Sequence, residues 1–147
     1  MITDILTQLF KRDLNKLIDE INLYTKESNL WVVDKAISNS AGNLCLHVVG
    51  NLKSFIGANL GHSGYVRQRD LEFSQKNVPR TEMIKQVEET IAIVESTLKT
   101  LTVNDLEKEY APQVFDKPMT TAYFLMHLSA HLSYHLGQIN YHRRLLD

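Results

Sequence analysis

Three histidines recur at every fourth residue in the stretch "HLSAHLSYHLGQI": His127, His131 and His135. An imidazole nitrogen is a common ligand for divalent metal ions, and residues four apart on a helix lie one turn apart and about 40° apart in rotation. Neighbours in the series can therefore share an ion. The two ends cannot, because they are about 12 Å apart along the axis while a zinc–imidazole bond is about 2.1 Å. The pair is His131 with either His127 or His135. Phe124, Leu128, Ile139 and Leu146 fall on the same side of the helix, so the histidine face should turn inward. A lone histidine there would be a core residue hydrogen-bonded to a neighbour, but three in register are hard to satisfy in that way.

Two ligands from one helix leave a site incomplete, and the third must come from another element. His47 and His62 are the candidates. On a helical wheel His47 lies with Asn43, Gly50, Asn51, Ser54 and Ala58, a small and polar stripe that suits either a solvent face or the wall of a pocket. Leu44, Val48, Leu52, Phe55 and Ile56 cover the adjoining side. Cys45 stands about 200° around the helix from His47 and reads as a core residue, outside any metal site.

The elements that must position these residues are four amphipathic helices, which make an all-α four-helix bundle. Ile2, Leu6, Phe10, Leu14, Leu17, Ile21 and Tyr24 keep the first helical stripe. The second helix should start near Ser40, which can cap it, and weaken at Gly57 and Gly61. The third carries Ile84, Val87, Ile91, Val94, Leu98 and Leu101, with Thr81 placed to cap it. The last should start near Thr120 or Thr121 and run almost to Asp147. Polar connections follow the second and third helices and leave room for crossovers. Leu125, Leu132 and Leu136 form a second apolar strip on the last helix, and a strip left uncovered would pair two copies, so a homodimer is expected.

The whole chain bounds what such a bundle can be. Its 147 residues, 44% hydrophobic and 22% charged, suit a single domain over 1–147 whose core needs no metal for stability. Any metal should then serve chemistry. A net charge of -1 supplies no field for nucleic acid or an anionic membrane. The lone cysteine, the absence of a signal-peptide pattern and the lack of an apolar run of about 20 residues point to a cytoplasmic protein without membrane partners.

Together, "NLCLHVVGNLKSFI" and "HLSAHLSYHLGQI" resemble the DinB/YfiT-like superfamily, whose pattern is one histidine on the second helix and His-x-x-x-His-x-Gly-Gln on the last. "GYVRQRDLEF" between the second and third helices also looks like a branch of it. The resemblance implies a divalent metal ion on His47, His131 and His135, leaving His127 as a pocket residue. Gly137 and Gln138 match the pattern. Leu136 departs from it, because an arginine often stands there, and no role of that arginine carries over.

Three neutral histidines would leave a divalent ion its full charge and an open position. Zinc, nickel, iron, cobalt and manganese suit such a site to different degrees. The resemblance implies transfer or isomerisation chemistry with a low-molecular-weight thiol, such as bacillithiol or mycothiol, and a small-molecule substrate. Hydrolysis is the competing chemistry. It needs a carboxylate base, and neither histidine helix carries one on the histidine face, although the loop with Asp70 and Glu72 could supply one. A bundle that binds metal or a small molecule without turnover would share the same fold and ligands. A histidine phosphotransfer module is the remote reading, since Gly50 and Lys53 are misplaced relative to His47 for its signature. Arg67 and Arg69 could hold a substrate anion if their loop folds over the site, and Asn43, Asn51, Tyr65, Tyr134 and Gln138 are candidate pocket residues.

Overall fold

The computed structural model describes all of Met1–Asp147 and is all-α. Four long helices make the bundle: α1 (Ile2–Leu23), α2 (Ala41–Leu52), α4 (Arg80–Thr100) and α6 (Thr121–Leu146). A π-helical turn, Lys53–Ala58, prolongs α2. Two short helices, α3 (Arg69–Ser74) and α5 (Val103–Glu107), lie in connections whose polar composition predicts only loops.

Local chemistry accounts for most helix ends. Ser40 caps α2 by accepting from the Asn43 backbone N–H, and Thr120 caps α6 by accepting from that of Tyr123. Thr81 does not cap α4. That helix starts at Arg80 with Pro79 at the cap, two residues earlier than a Thr81 cap would place it, and the Arg80 N–H donates to Glu27 Oε1 of the α1–α2 connection at 2.6 Å. The Pro79 carbonyl accepts from the N–H groups of Glu82 and Met83.

Each long helix packs on two others: α1 on α4 and α6, and α2 on α4 and α6. Side-chain pairs give the directions. Lys53 meets Glu89, and Gly57 lies against Ile93, so α2 and α4 run parallel. Phe55 meets Phe124 while His47 meets His131, so α2 and α6 run antiparallel. Parallel neighbours cannot be joined by a tight turn, which is why the α2–α4 connection is long enough to carry α3. Between α1 and α2, and again between α4 and α6, the chain crosses to the diagonally opposite helix. The topology is thus not a simple up-and-down bundle.

One apolar cluster fills the bundle, with Phe10, Leu14, Ile21, Leu52, Met83, Leu98 and Phe124 among its sealed members. Leu125 and Leu132 are 0% and 1% exposed, and Leu136 is half-buried against the cluster. The strip expected to pair two copies is covered within one chain by the helices flanking α6, so it is no reason for association. Cys45 is buried in the core as expected, and burial pushes its thiol pKa up to about 12.

Candidate metal centre

α6 presents His131 and His135 toward α2 on successive turns, and α2 presents His47 between them. Their ring nitrogens lie within 4.8 Å of one another. All three use Nε2: His47 to His131 is 3.2 Å, and His135 to His131 is 3.0 Å. Nitrogens about 2.1 Å from a common ion in tetrahedral or octahedral geometry stand about 3.0–3.4 Å apart, so two of the three spacings already match the shell of a divalent ion. The outer nitrogens favour the same outcome. His47 Nδ1 is 3.0 Å from Glu72 Oε1, and His135 Nδ1 is 2.7 Å from Gln138 Oε1. Oxygen acceptors at both Nδ1 atoms hold the protons there and leave both Nε2 lone pairs free to bind.

Burial pushes the pKa of His131 down to about 4, assisted by repulsion from His135, His47, His127 and Arg67. Burial also lowers that of His135, against the opposing hydrogen bond to Gln138. Both rings are neutral at neutral pH, as ligands must be.

His127 lies outside the cluster. Its ring stands 6.3 Å from that of His131 and packs between Phe115 and Phe124. His62 is exposed, with a positive φ of 52°, and takes no part. His142 is a satisfied core histidine: Nδ1 is 2.6 Å from the Tyr24 hydroxyl and Nε2 is 2.8 Å from the Val32 carbonyl.

At Asn43, His47 and Gly50 the polar stripe is neither solvent face nor open pocket wall, because α3 covers it, while Ser54 and Ala58 beyond α2 are half-buried. All twelve residues of α2 are buried. The Asn43 amide donates to the carbonyls of Glu72 and Gln75, both at 2.9 Å, so it fastens α3 to α2. At Gly50 a Cβ would lie 2.6 Å from the Glu72 carboxyl carbon, so the missing side chain makes room for that carboxylate. Asn51, 6% exposed, has no partner for its Oδ1.

Glu72 is the residue sequence reasoning underrated. Its Oε1 meets His47 Nδ1 and Arg67 Nη2, the latter at 2.9 Å, and its Oε2 accepts from Arg67 Nε at 2.8 Å. Burial alone would raise its pKa, but hydrogen bonds from His47 and Arg67 and the charge of Arg67 bring it below the usual range. The carboxylate is therefore ionised and engaged on both oxygens. Arg67 is committed to it by two N–H groups, and Arg69 lies exposed with its guanidinium over the Phe73 ring. Tyr65 is half-buried, with Lys53 Nζ 5.9 Å from its ring centre. Tyr134 is 67% exposed beside His135, their rings 5.6 Å apart. A sequence signal for Glu72 did exist, in the glycine one turn after His47, but a glycine in a helix does not name what approaches it.

A groove of about 650 Å³ opens at His135 and Gln138 and continues past Leu44, Ile37, Tyr141 and Leu145. A cleft of similar size, about 670 Å³, between the start of α1 and the end of α4 contains no histidine. Chemistry, not size, decides which of the two belongs to the site.

Fold and site define an all-α bundle with a three-histidine group that could hold a metal ion. The chain belongs to the family described as "Protein of unknown function (DUF1572)", whose pattern it matches over residues 4–147. No curated protein shows a significant match to it. No helix is long and apolar enough to cross a membrane.

Proposed function

We propose that this protein is a metal-dependent enzyme of the DinB/YfiT-like kind that activates a small thiol for transfer to, or isomerisation of, an organic substrate. The observation that carries the reading is the convergence of three Nε2 atoms, two of them with their Nδ1 protons held on outward oxygen acceptors. A divalent zinc, nickel, iron or manganese ion in such a neutral donor set supplies Lewis acidity and an open position where a thiol is held as its thiolate.

The protein's own groups do the rest. His47, His131 and His135 would hold the ion without neutralising it. Glu72 and Arg67 cancel each other's charge, so the centre keeps a net attraction for an anionic sulfur. The groove beside His135 offers apolar walls at Leu44, Ile37 and Leu145 for the organic partner. Cys45, on the far side of α2 and held as a neutral thiol, cannot substitute for the external one. Hydrolysis is the weaker reading, because the carboxylate nearest the histidines has both oxygens engaged and is not free to take a proton from water.

The test is cobalt-loaded protein titrated with small thiols. A sulfur-to-cobalt charge-transfer band in the near ultraviolet, followed by thiol-dependent consumption of an electrophile, is expected. Stoichiometric cobalt without a thiol band or turnover would leave a metal-binding bundle and remove the enzyme.

A further inference from the structure

We infer that Glu72 is a positioning residue that aims His47 at the metal, and that the short helix α3 is the device that brings it there. The inference rests on the metal-centre reading and adds a residue and an element to it.

Three observations point the same way. First, the Glu72 carboxylate meets the one nitrogen of His47 that faces away from the other two histidines. A carboxylate on that nitrogen keeps the proton at Nδ1, fixes the ring's rotation and raises the basicity of Nε2. Second, the carboxylate is itself held, by two N–H groups of Arg67 from the same connection. An unheld carboxylate would hydrate and turn away. Third, α2 is built to receive it. Asn43 binds the backbone of α3 at two carbonyls, and Gly50 leaves the space that the carboxylate fills. Glycine costs a helix interior about 1 kcal/mol relative to alanine, so its place one turn beyond His47 has a local cost that the Glu72 contact explains. His131 and His135 are preset by one helix. His47 alone among the three comes from a different helix and needs an independent constraint, and it alone has a carboxylate behind it.

The arrangement makes an unusual demand on α2: neutralising a carboxylate on α3 and adding a methyl group to α2 should have the same consequence. Glu72→Gln retains an oxygen for His47 but loses the charge and presents an amide N–H toward Arg67. Gly50→Ala leaves every ligand and Glu72 itself in place chemically, but its methyl group displaces the flexible carboxylate. Cobalt affinity, measured by competition with a chromophoric chelator, is expected to fall about 10–100-fold in each variant. The double variant should fall little further than the weaker-binding single one, since both disrupt the same contact. The cobalt ligand-field band should shift in both, which loss of fold stability alone would not produce in protein that remains folded by circular dichroism. Wild-type affinity in Gly50→Ala and Glu72→Gln would overturn the inference while leaving the metal centre intact. Failure of the wild-type protein to bind cobalt would overturn the metal-centre reading and this inference with it. Additive losses in the double variant would show that Gly50 and Glu72 act separately and would sink the proposed device.

Discussion

His131 and His142 lie on the same helix eleven residues apart, and the protein treats them in opposite ways. His142 has each ring nitrogen paired, with the Tyr24 hydroxyl on one side and the Val32 carbonyl on the other. It closes the end of the bundle, and nothing is left over. The hydrogen-bond partners of His131 are the Nε2 atoms of two other imidazoles, each with its proton held elsewhere. Two neutral nitrogens with lone pairs at 3.0–3.2 Å can share at most one proton with a third, so the group has binding capacity that the protein itself does not use. The contrast separates a histidine spent on structure from one kept for a ligand, and burial alone does not make that distinction.

The largest effect expected in this comparison lies one residue from His131. Leu132 faces the sealed core, so Leu132→Glu should destabilise the chain by more than about 4 kcal/mol and leave little folded protein. Folded, soluble Leu132→Glu by circular dichroism would show that the strip is not core. His131→Ala should instead leave the metal-free fold within about 1 kcal/mol of wild type, because at most one shared-proton hydrogen bond is lost. Its metal affinity should fall by more than the ~100-fold reserved for outer partners. Elemental analysis after dialysis checks this, and full occupancy would remove His131 from the ligand set.

His142→Ala should give the reverse pattern. Metal content stays near one ion per chain, while urea denaturation shows a loss of about 2–3 kcal/mol from the orphaned Tyr24 hydroxyl and Val32 carbonyl. Equal loss of metal in the two variants would erase the contrast. His127→Ala sharpens it further. With its ring 6.3 Å from that of His131 and no hydrogen bond to either ligand pair, it should change metal affinity by less than about tenfold. A loss as deep as that of His135→Ala would mean that the wrong neighbour was paired with His131. The smallest effect is a null one: Cys45, whose thiol pKa is near 12, should resist a thiol reagent at pH 8 until the protein is unfolded. Rapid labelling of native protein would bring that cysteine back into the chemistry.

Much of the fold was legible because its causes are local. The stripe from Ile2 to Tyr24 became α1, ending at Leu23, and the hydroxyls of Ser40 and Thr120 cap the helices they precede. Thr81 failed as a cap because the helix had already begun at Arg80, whose N–H is held by Glu27, far away in sequence. The short helices α3 and α5 were missed because five or six residues carry too little period to be seen without the surfaces they pack on.

The sequence by itself determined that His127 and His135 cannot share an ion and that His131 must belong to any pair, since rise and rotation per residue are properties of the backbone. It also determined four amphipathic helices, through the period of their apolar residues. Only the tertiary structure decided that His47 and not His62 meets that pair, since this depends on where an antiparallel α2 crosses α6. It alone brought Glu72 onto His47 across 25 residues, through a strap fastened by Asn43 and seated on Gly50. It also covered Leu125 and Leu132 with flanking helices, where the wheel showed only an apolar strip. The physical reason is the same in each case. Spacing along one helix is a local geometric constant, whereas contacts between elements depend on how the connections route the chain, and no residue in those connections states that path by its type.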